Sequence, residues 1–159
     1  MTFTVRSVDA RDVPEVVALV RDTLAEFGLT FGVGSQTDAQ LHGLPESYRD
    51  RGGEFFVAEE RADSGESIIA GCAGVFPLEA GVYELRKMYL RPATRGRGTG
   101  ARLFDACLDF CRGRGARRVV LDTVEEMTAA IAFYERRGFV RDDAQTRGAR
   151  CTRGYRLDL

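Results

Sequence analysis

The sequence has very little lysine, one histidine and no tryptophan. Lys87 is the only lysine among 23 basic residues, and this arginine bias is typical of bacterial genes with a high GC content rather than of a phosphate-binding surface. With 24 acidic residues the formal net charge is −1, and the pI is near 5.9. This balance excludes a nucleic-acid-binding protein that depends on bulk positive charge.

Metal ligands are also scarce. The four cysteines form no C-x-x-C pair, and His42 is the only histidine. Zinc sites need several cysteines and histidines at close spacing, so no metal site is predicted. Cys107 and Cys111 lie four residues apart in an apolar stretch and are expected to be small buried residues in a reducing cytoplasm.

No apolar run approaches the roughly 18 residues that a membrane-spanning helix needs, and residues 1–6 lack the apolar stretch of a signal peptide. Hydrophobic residues make up 44% of the chain and charged residues 30%. Residues 1–159 are therefore predicted to form one globular domain without a membrane partner. The sequence leaves a homodimer open.

Hydrophobic periodicity predicts the order β-α-α-β-β-β-α-β-α-β-β. A helical crossover after the third central strand implies that the next strand runs parallel to it or to a near neighbour. The predicted fold class is α/β, with a mixed (α+β) sheet and helices on both faces. The predicted helices span residues 13–28, 38–49, 100–112 and 128–137.

The segment from Glu84 to Gly100 is the most informative part of the sequence. A strand ends near Leu90, an arginine- and glycine-rich loop follows, and a helix begins at Gly100. Glycines allow several backbone N–H groups to point at one place, and a helix N-terminus adds partial positive charge. The segment therefore predicts a pyrophosphate-binding site.

Two other phosphate-binding motifs are alternatives for this loop. A P-loop is excluded because the loop lacks the required lysine and following hydroxyl residue. A dinucleotide-binding motif fits better, because residues 96–101 match G-x-G-x-x-A and Asp122 ends the next strand. Against it, residues 91–95 separate the strand from the first glycine, where a dinucleotide-binding turn is tight. A dinucleotide-binding protein remains a distant alternative.

Two motifs resemble the GNAT superfamily of acetyl-CoA-dependent N-acetyltransferases. The signature Q/R-x-x-G-x-G/A is matched by Arg95, Gly98 and Gly100, and A-x-x-L/F-Y-x-x-x-G-F is matched by residues 130–139. The order of helices and strands resembles that of the family across nearly the whole chain. The resemblance implies the GNAT-type acyl-CoA N-acyltransferase fold.

The resemblance also implies where acetyl-CoA binds. Backbone amides of the glycine loop, residues 95–100, would hold the pyrophosphate, and the preceding strand would pair with the pantetheine arm. The residues implied are Met88, Tyr89, Leu90, Arg95, Gly96, Arg97, Gly98, Thr99 and Gly100. Many family members have an asparagine seven residues before the motif tyrosine, whereas this chain has Met127.

Tyr134 matches the family tyrosine that often protonates the departing coenzyme A thiolate, and the phenol and thiol pKa values, near 10 and 8.5, allow the transfer. Its alternative role is packing. Two carboxylates are candidates for the base that deprotonates the amine. Glu84 is slightly preferred, and strand alternation places it on one sheet face with Arg86 and Met88. Asp122 is the other candidate, and either could instead be a structural ion-pair partner.

The resemblance implies direct acetyl transfer from acetyl-CoA to a primary amine of a small molecule or peptide. A non-catalytic acyl-CoA sensor is the alternative from a different class. Acceptor choice is expected to come from residues 29–49, the turn after Phe76 and residues 142–153. The arginines Arg86, Arg147 and Arg150 could bind an acceptor carboxylate, and the alternative is that they only reflect how common arginine is in this chain.

Overall fold

The computed structural model describes residues 2–159, and Met1 lies outside the described residues. Seven strands form one sheet in the order β1-β2-β3-β4-β5-β7-β6. The strands are β1 (Thr2–Ser7), β2 (Glu54–Arg61), β3 (Ser67–Glu79), β4 (Val82–Leu90), β5 (Arg118–Thr123), β6 (Val140–Arg141) and β7 (Arg153–Asp158).

Four α-helices connect these strands: α1 (Val13–Glu26), α2 (Glu46–Arg49), α3 (Thr99–Gly113) and α4 (Thr128–Arg136). The predicted order of helices and strands is confirmed. The predicted helix over 38–49 is instead a 3-10 helix, Asp38–Gly43, followed by the single turn of α2. Leu44 precedes Pro45 and is extended, because the proline ring disfavours a helical conformation in the residue before it.

Strands β4 and β5 are the one parallel pair in the described part of the chain, and α3 provides the crossover between them. The other neighbouring strands are antiparallel. A dinucleotide-binding fold needs a mostly parallel sheet, so the dinucleotide-binding alternative is wrong.

The two faces of the sheet carry separate hydrophobic cores, as the prediction of helices on both faces requires. On one face, α3 contributes Leu103 and Cys107 to a cluster that includes Tyr155. On the other face, α1 contributes Leu19 and Val20 to a second cluster.

A β-bulge interrupts β4. Gly74 pairs with Arg86 and Cys72 pairs with Tyr89, so two residues of β4 lie opposite one residue of β3. Lys87, in the bulge, has φ of 55°, in the left-handed region that residues other than glycine seldom occupy. Bulges of this kind redirect the side chains that follow.

The bulge changes which face each side chain of β4 occupies. Arg86 and Lys87 both bond to the segment 38–43, through Gln40 and Asp38, although they are consecutive residues. Met88 packs instead against the core on the α3 face. The predicted alternation, which placed Met88 with Glu84 and Arg86, is therefore wrong for Met88.

Candidate active site

The parallel pair β4–β5 separates part of the way along the sheet. Pairing ends at Glu84 opposite Val120, yet β4 continues to Leu90 and β5 to Thr123. A cavity of about 950 Å³ lies at this separation, within the range of small-molecule and cofactor sites. Its lining includes β4, the start of α3, α4, and the loop segments 29–37 and 147–151.

The glycine loop forms one end of the cavity. Gly96 and Gly98 have φ of 76° and 83°, and Gly98 directly precedes α3. A Cβ atom at either position would meet nothing within 4 Å, so the backbone conformation rather than crowding favours glycine there. Arg95, Gly96, Gly98 and Gly100 all line the cavity.

The side chains of the loop differ in direction. Arg95 donates a hydrogen bond to the Leu90 carbonyl at 3.0 Å and pairs with Glu26 of α1 at 2.9 Å. Arg97 pairs with Glu60 of β2 at 2.7 Å, and neither Arg97 nor the buried Thr99 lines the cavity. Of the predicted cofactor-binding residues, Met88, Tyr89 and Leu90 line it as well.

Tyr134 lies on α4 and lines the cavity, although its side chain is largely buried. Its ring packs edge-on against Phe133 and Phe139, with centroids 5.7 and 5.6 Å away. Within residues 2–159 its hydroxyl has no hydrogen-bond partner. Burial raises the pKa of Tyr134, which keeps the phenol protonated at neutral pH but makes it a weaker acid. The ring packing does not use the hydroxyl, so its role in proton transfer stays a prediction.

Glu84 is 4% exposed and lies beside the cavity on β4. Its Oε1 atom accepts a hydrogen bond from Nε of Arg86. Its Oε2 atom is buried and has no hydrogen-bond partner in the described chain, and Nη1 of Arg147 lies 3.8 Å from it. Glu84 therefore has one carboxylate oxygen available to accept a proton.

Asp122 lies at the end of β5 and has a different role in the structure. Its Oδ2 atom accepts hydrogen bonds from the backbone N–H groups of Arg147 and Gly148, at 2.7 and 2.8 Å. These bonds hold the segment 147–151 against the cavity. The carboxylate of Asp122 is thus already used to position a loop.

Met127 lies directly before α4 and lines the cavity. Its sulfur accepts a hydrogen bond from the Thr123 hydroxyl at 3.7 Å. A thioether cannot donate a hydrogen bond, so the contact that an asparagine would offer is absent from this side chain.

An ion cluster of Asp38, Lys87 and Arg150 forms part of the site. Asp38 is fully buried and accepts hydrogen bonds from Nη1 and Nη2 of Arg150 at 2.8 and 3.0 Å, and from Nζ of Lys87. The backbone N–H of Gly32 donates a further bond at 2.7 Å. The sequence makes Arg150 a candidate for binding an acceptor carboxylate, but nothing there connects it with Asp38 and Lys87, which are far away along the chain.

The cluster also affects protonation. Burial alone would raise the pKa of Asp38, but hydrogen bonds from Arg150 and Lys87 outweigh it and hold that pKa well below its usual range. Burial lowers the pKa of Lys87, and the bond to Asp38 opposes this shift. Asp38 is therefore ionised at neutral pH.

No group of three or more His, Cys, Asp and Glu residues within 2–159 could hold a metal ion. In the same part of the chain, no helix is both long and apolar enough to span a membrane.

The splayed β4–β5 pair and the glycine loop at the start of α3 define the acyl-CoA N-acyltransferase class of fold. The acetyltransferase (GNAT) family model matches residues 18–139, and the chain belongs to this family. The chain is thus an acyltransferase by family. It is 33% identical over 138 residues to the uncharacterized N-acetyltransferase YjgM of Escherichia coli (strain K12), a match that covers 84% of this chain and 80% of that relative.

Solved structures share the fold. A GNAT-family acetyltransferase from Staphylococcus aureus Mu50 superposes with a TM-score of 0.87 at 20% identity, covering 99% of each chain. The PaiA N-acetyltransferase of Thermoplasma acidophilum, solved with coenzyme A, has a TM-score of 0.76 at 18% identity and covers 100% of each chain. The family model and the Escherichia coli relative confirm the predicted family, and these structures confirm the predicted fold.

Proposed function

We propose that the chain transfers the acetyl group of acetyl-CoA directly to a primary amine. The observation that carries this proposal is the cavity between β4 and β5, which ends at the glycine loop. The family match and the coenzyme A complex of the Thermoplasma relative support acetyl-CoA as the co-substrate. When bound, acetyl-CoA supplies an activated acetyl thioester.

The features of the cavity suit a pantetheine arm and a pyrophosphate. Beyond Glu84, the edge of β4 that faces β5 has no strand partner in the described chain, and Met88–Leu90 line the cavity there. This edge would pair with the pantetheine amides as a neighbouring strand does. The glycine loop and the N-terminus of α3 would bind the pyrophosphate.

Two side chains would move protons. Glu84 would accept the amine proton at Oε2, the oxygen that has no hydrogen-bond partner in the described chain. Tyr134 would donate its hydroxyl proton to the departing sulfur, since it lines the cavity and its hydroxyl has no hydrogen-bond partner in the described chain. A nearby backbone N–H would stabilise the developing negative charge on the carbonyl oxygen.

The state of the cysteines supports direct transfer over an acyl-cysteine route. Cys72, Cys107 and Cys111 are buried, and burial raises the pKa of each thiol. Cys151 lines the cavity, but burial and the neighbouring Asp122 raise its pKa to about 12. A thiol with this pKa is a poor nucleophile at neutral pH. Four free cysteines also support our proposal of a cytoplasmic location.

The test combines acetyl-CoA calorimetry with an assay of coenzyme A release over a panel of primary amines, including peptides. The proposal expects saturable binding and amine-dependent release well above the rate of acetyl-CoA hydrolysis. Binding without release on any amine would instead identify an acyl-CoA sensor. Absence of binding would reject both functions.

A further inference from the structure

The ion cluster contains two cations and one carboxylate. Asp38 accepts bonds from both Lys87 and Arg150, whose side chains are only 6% and 12% exposed. Both cations line the cavity, whereas Asp38 lies behind them and does not. One positive charge is therefore left without a counter-charge within the cluster. Leaving a buried charge without a partner is costly.

The cluster also has unused hydrogen-bond donors. An ammonium group has three N–H donors, and within residues 2–159 Lys87 uses one of them, toward Asp38. Arg150 donates to Asp38 through both Nη atoms, while its Nε atom has no acceptor in the described chain. Donors next to a cavity are available to a ligand.

The neighbouring carboxylates do not bond to Lys87 or Arg150. Glu84 bonds to Arg86, with Arg147 at 3.8 Å, and Asp122 accepts two backbone N–H groups of the segment 147–151. Among Asp38 and the cavity-lining residues of β4, β5 and the segment 147–151, the cations outnumber the anions by four to three. The cations are Arg86, Lys87, Arg147 and Arg150, and the anions are Asp38, Glu84 and Asp122.

We propose that the acceptor amine also carries a carboxylate, which binds to Lys87 and Arg150. This inference rests on the proposed acetyltransferase function. Glu84 would receive the amine end of the same acceptor, so the two ends of an amino acid meet opposite charges. A single excess positive charge matches a carboxylate better than a phosphate monoester, which carries about −1.5 to −2. The acceptor class is thus amino acids and related amino-carboxylates.

The first experiment compares amino acids with their primary carboxamides in matched pairs, using coenzyme A release. Rates are expressed per concentration of neutral amine, because amidation changes the amine pKa. We expect kcat/KM to favour the carboxylate by about 10- to 100-fold, the effect of a charge-assisted hydrogen bond. The pairs should vary in the number of carbons between amine and carboxylate.

The second experiment uses Lys87→Met, which keeps an unbranched side chain and leaves Asp38 paired with Arg150. The preference for the carboxylate should disappear, through a higher KM for that acceptor rather than a lower kcat. Arg21→Gln is the matched loss of charge, since Arg21 is exposed on α1 and outside the cavity. It should keep the wild-type preference.

The outcomes separate this inference from the proposed function. Equal wild-type rates for carboxylates and carboxamides would overturn the inference and leave the acetyltransferase function intact. If neither the carboxylates nor the carboxamides cause coenzyme A release, both the inference and the proposed function are overturned. If Lys87→Met does not fold, calorimetry of each matched pair into the wild-type protein with coenzyme A decides. Tighter binding of the carboxylate supports the inference, and equal binding rejects it.

Discussion

Replacing Asp38 with asparagine tests whether the ion cluster stabilises the acceptor side of the cavity, which is the part that Lys87 and Arg150 line. Asparagine preserves the shape of the side chain but removes its charge. Lys87 and Arg150 would then lie close together in a buried place without a carboxylate. The N–H of Gly32 also loses a charged acceptor.

The expected loss of stability follows from burial. Removing one partner of a buried ion pair costs about 3–5 kcal/mol, because a buried charge is left uncompensated. Lys87 and Arg150 line a cavity that water can enter, which relieves part of this cost. We therefore expect the free energy of unfolding to fall by about 2–4 kcal/mol. For a chain of this size, Tm should fall by about 4–16 °C.

The effect should depend on pH with a definite sign. The pKa of Asp38 is depressed in the folded state, so its contribution is fully present above the unfolded pKa of about 3.9. That contribution is lost as the pH falls toward the folded pKa. The stability gap between wild type and Asp38→Asn should therefore be steady at neutral pH and close below about pH 4.

Urea denaturation followed by circular dichroism, repeated across pH, measures this gap. Asp22→Asn is the control, because Asp22 is exposed on α1 and its loss should change stability by less than about 0.5 kcal/mol. A loss below about 1 kcal/mol at pH 7 would refute the assignment of a buried, charge-paired carboxylate. A gap that widens on acidification would contradict the sign of the pKa shift.

Three further predictions concern the active site. Arg95→Glu should weaken acetyl-CoA binding by about 10- to 100-fold in calorimetry, since it places a carboxylate at the pyrophosphate end, and unchanged affinity would remove the glycine loop from the site. Tyr134→Phe should lower kcat by about 10- to 1000-fold with little change in acetyl-CoA affinity, and wild-type turnover would mean that another group donates the proton. Glu84→Gln should lose kcat/KM at neutral pH and regain it at high pH, where free amine is abundant. Asp122→Asn should keep the wild-type pH profile, and the reverse pattern would assign the base to Asp122.

Local patterns in the sequence were sufficient for the order of helices and strands and for the family. Helical and strand periodicities depend on residues a few positions apart, and both GNAT motifs are contiguous. The glycine loop also follows local rules, because glycine adopts the positive φ seen at Gly96 and Gly98 without steric cost. These features could be predicted because no distant contact decides them.

The arrangement of residues on the acceptor side of the cavity could not be predicted from local patterns, because it depends on tertiary structure. The bulge at Lys87 arises from the pairing of β4 with β3, and it turns Lys87 toward Asp38 and Met88 toward the other core. The two candidate bases looked alike in sequence and differ only in their surroundings. Asp122 accepts a backbone hydrogen bond from Arg147, which lies 25 residues further along the chain. One oxygen of Glu84, in contrast, has no hydrogen-bond partner in the described chain. Pairing partners, burial and charge balance come from segments far apart along the chain, so they appear only when the chain is folded.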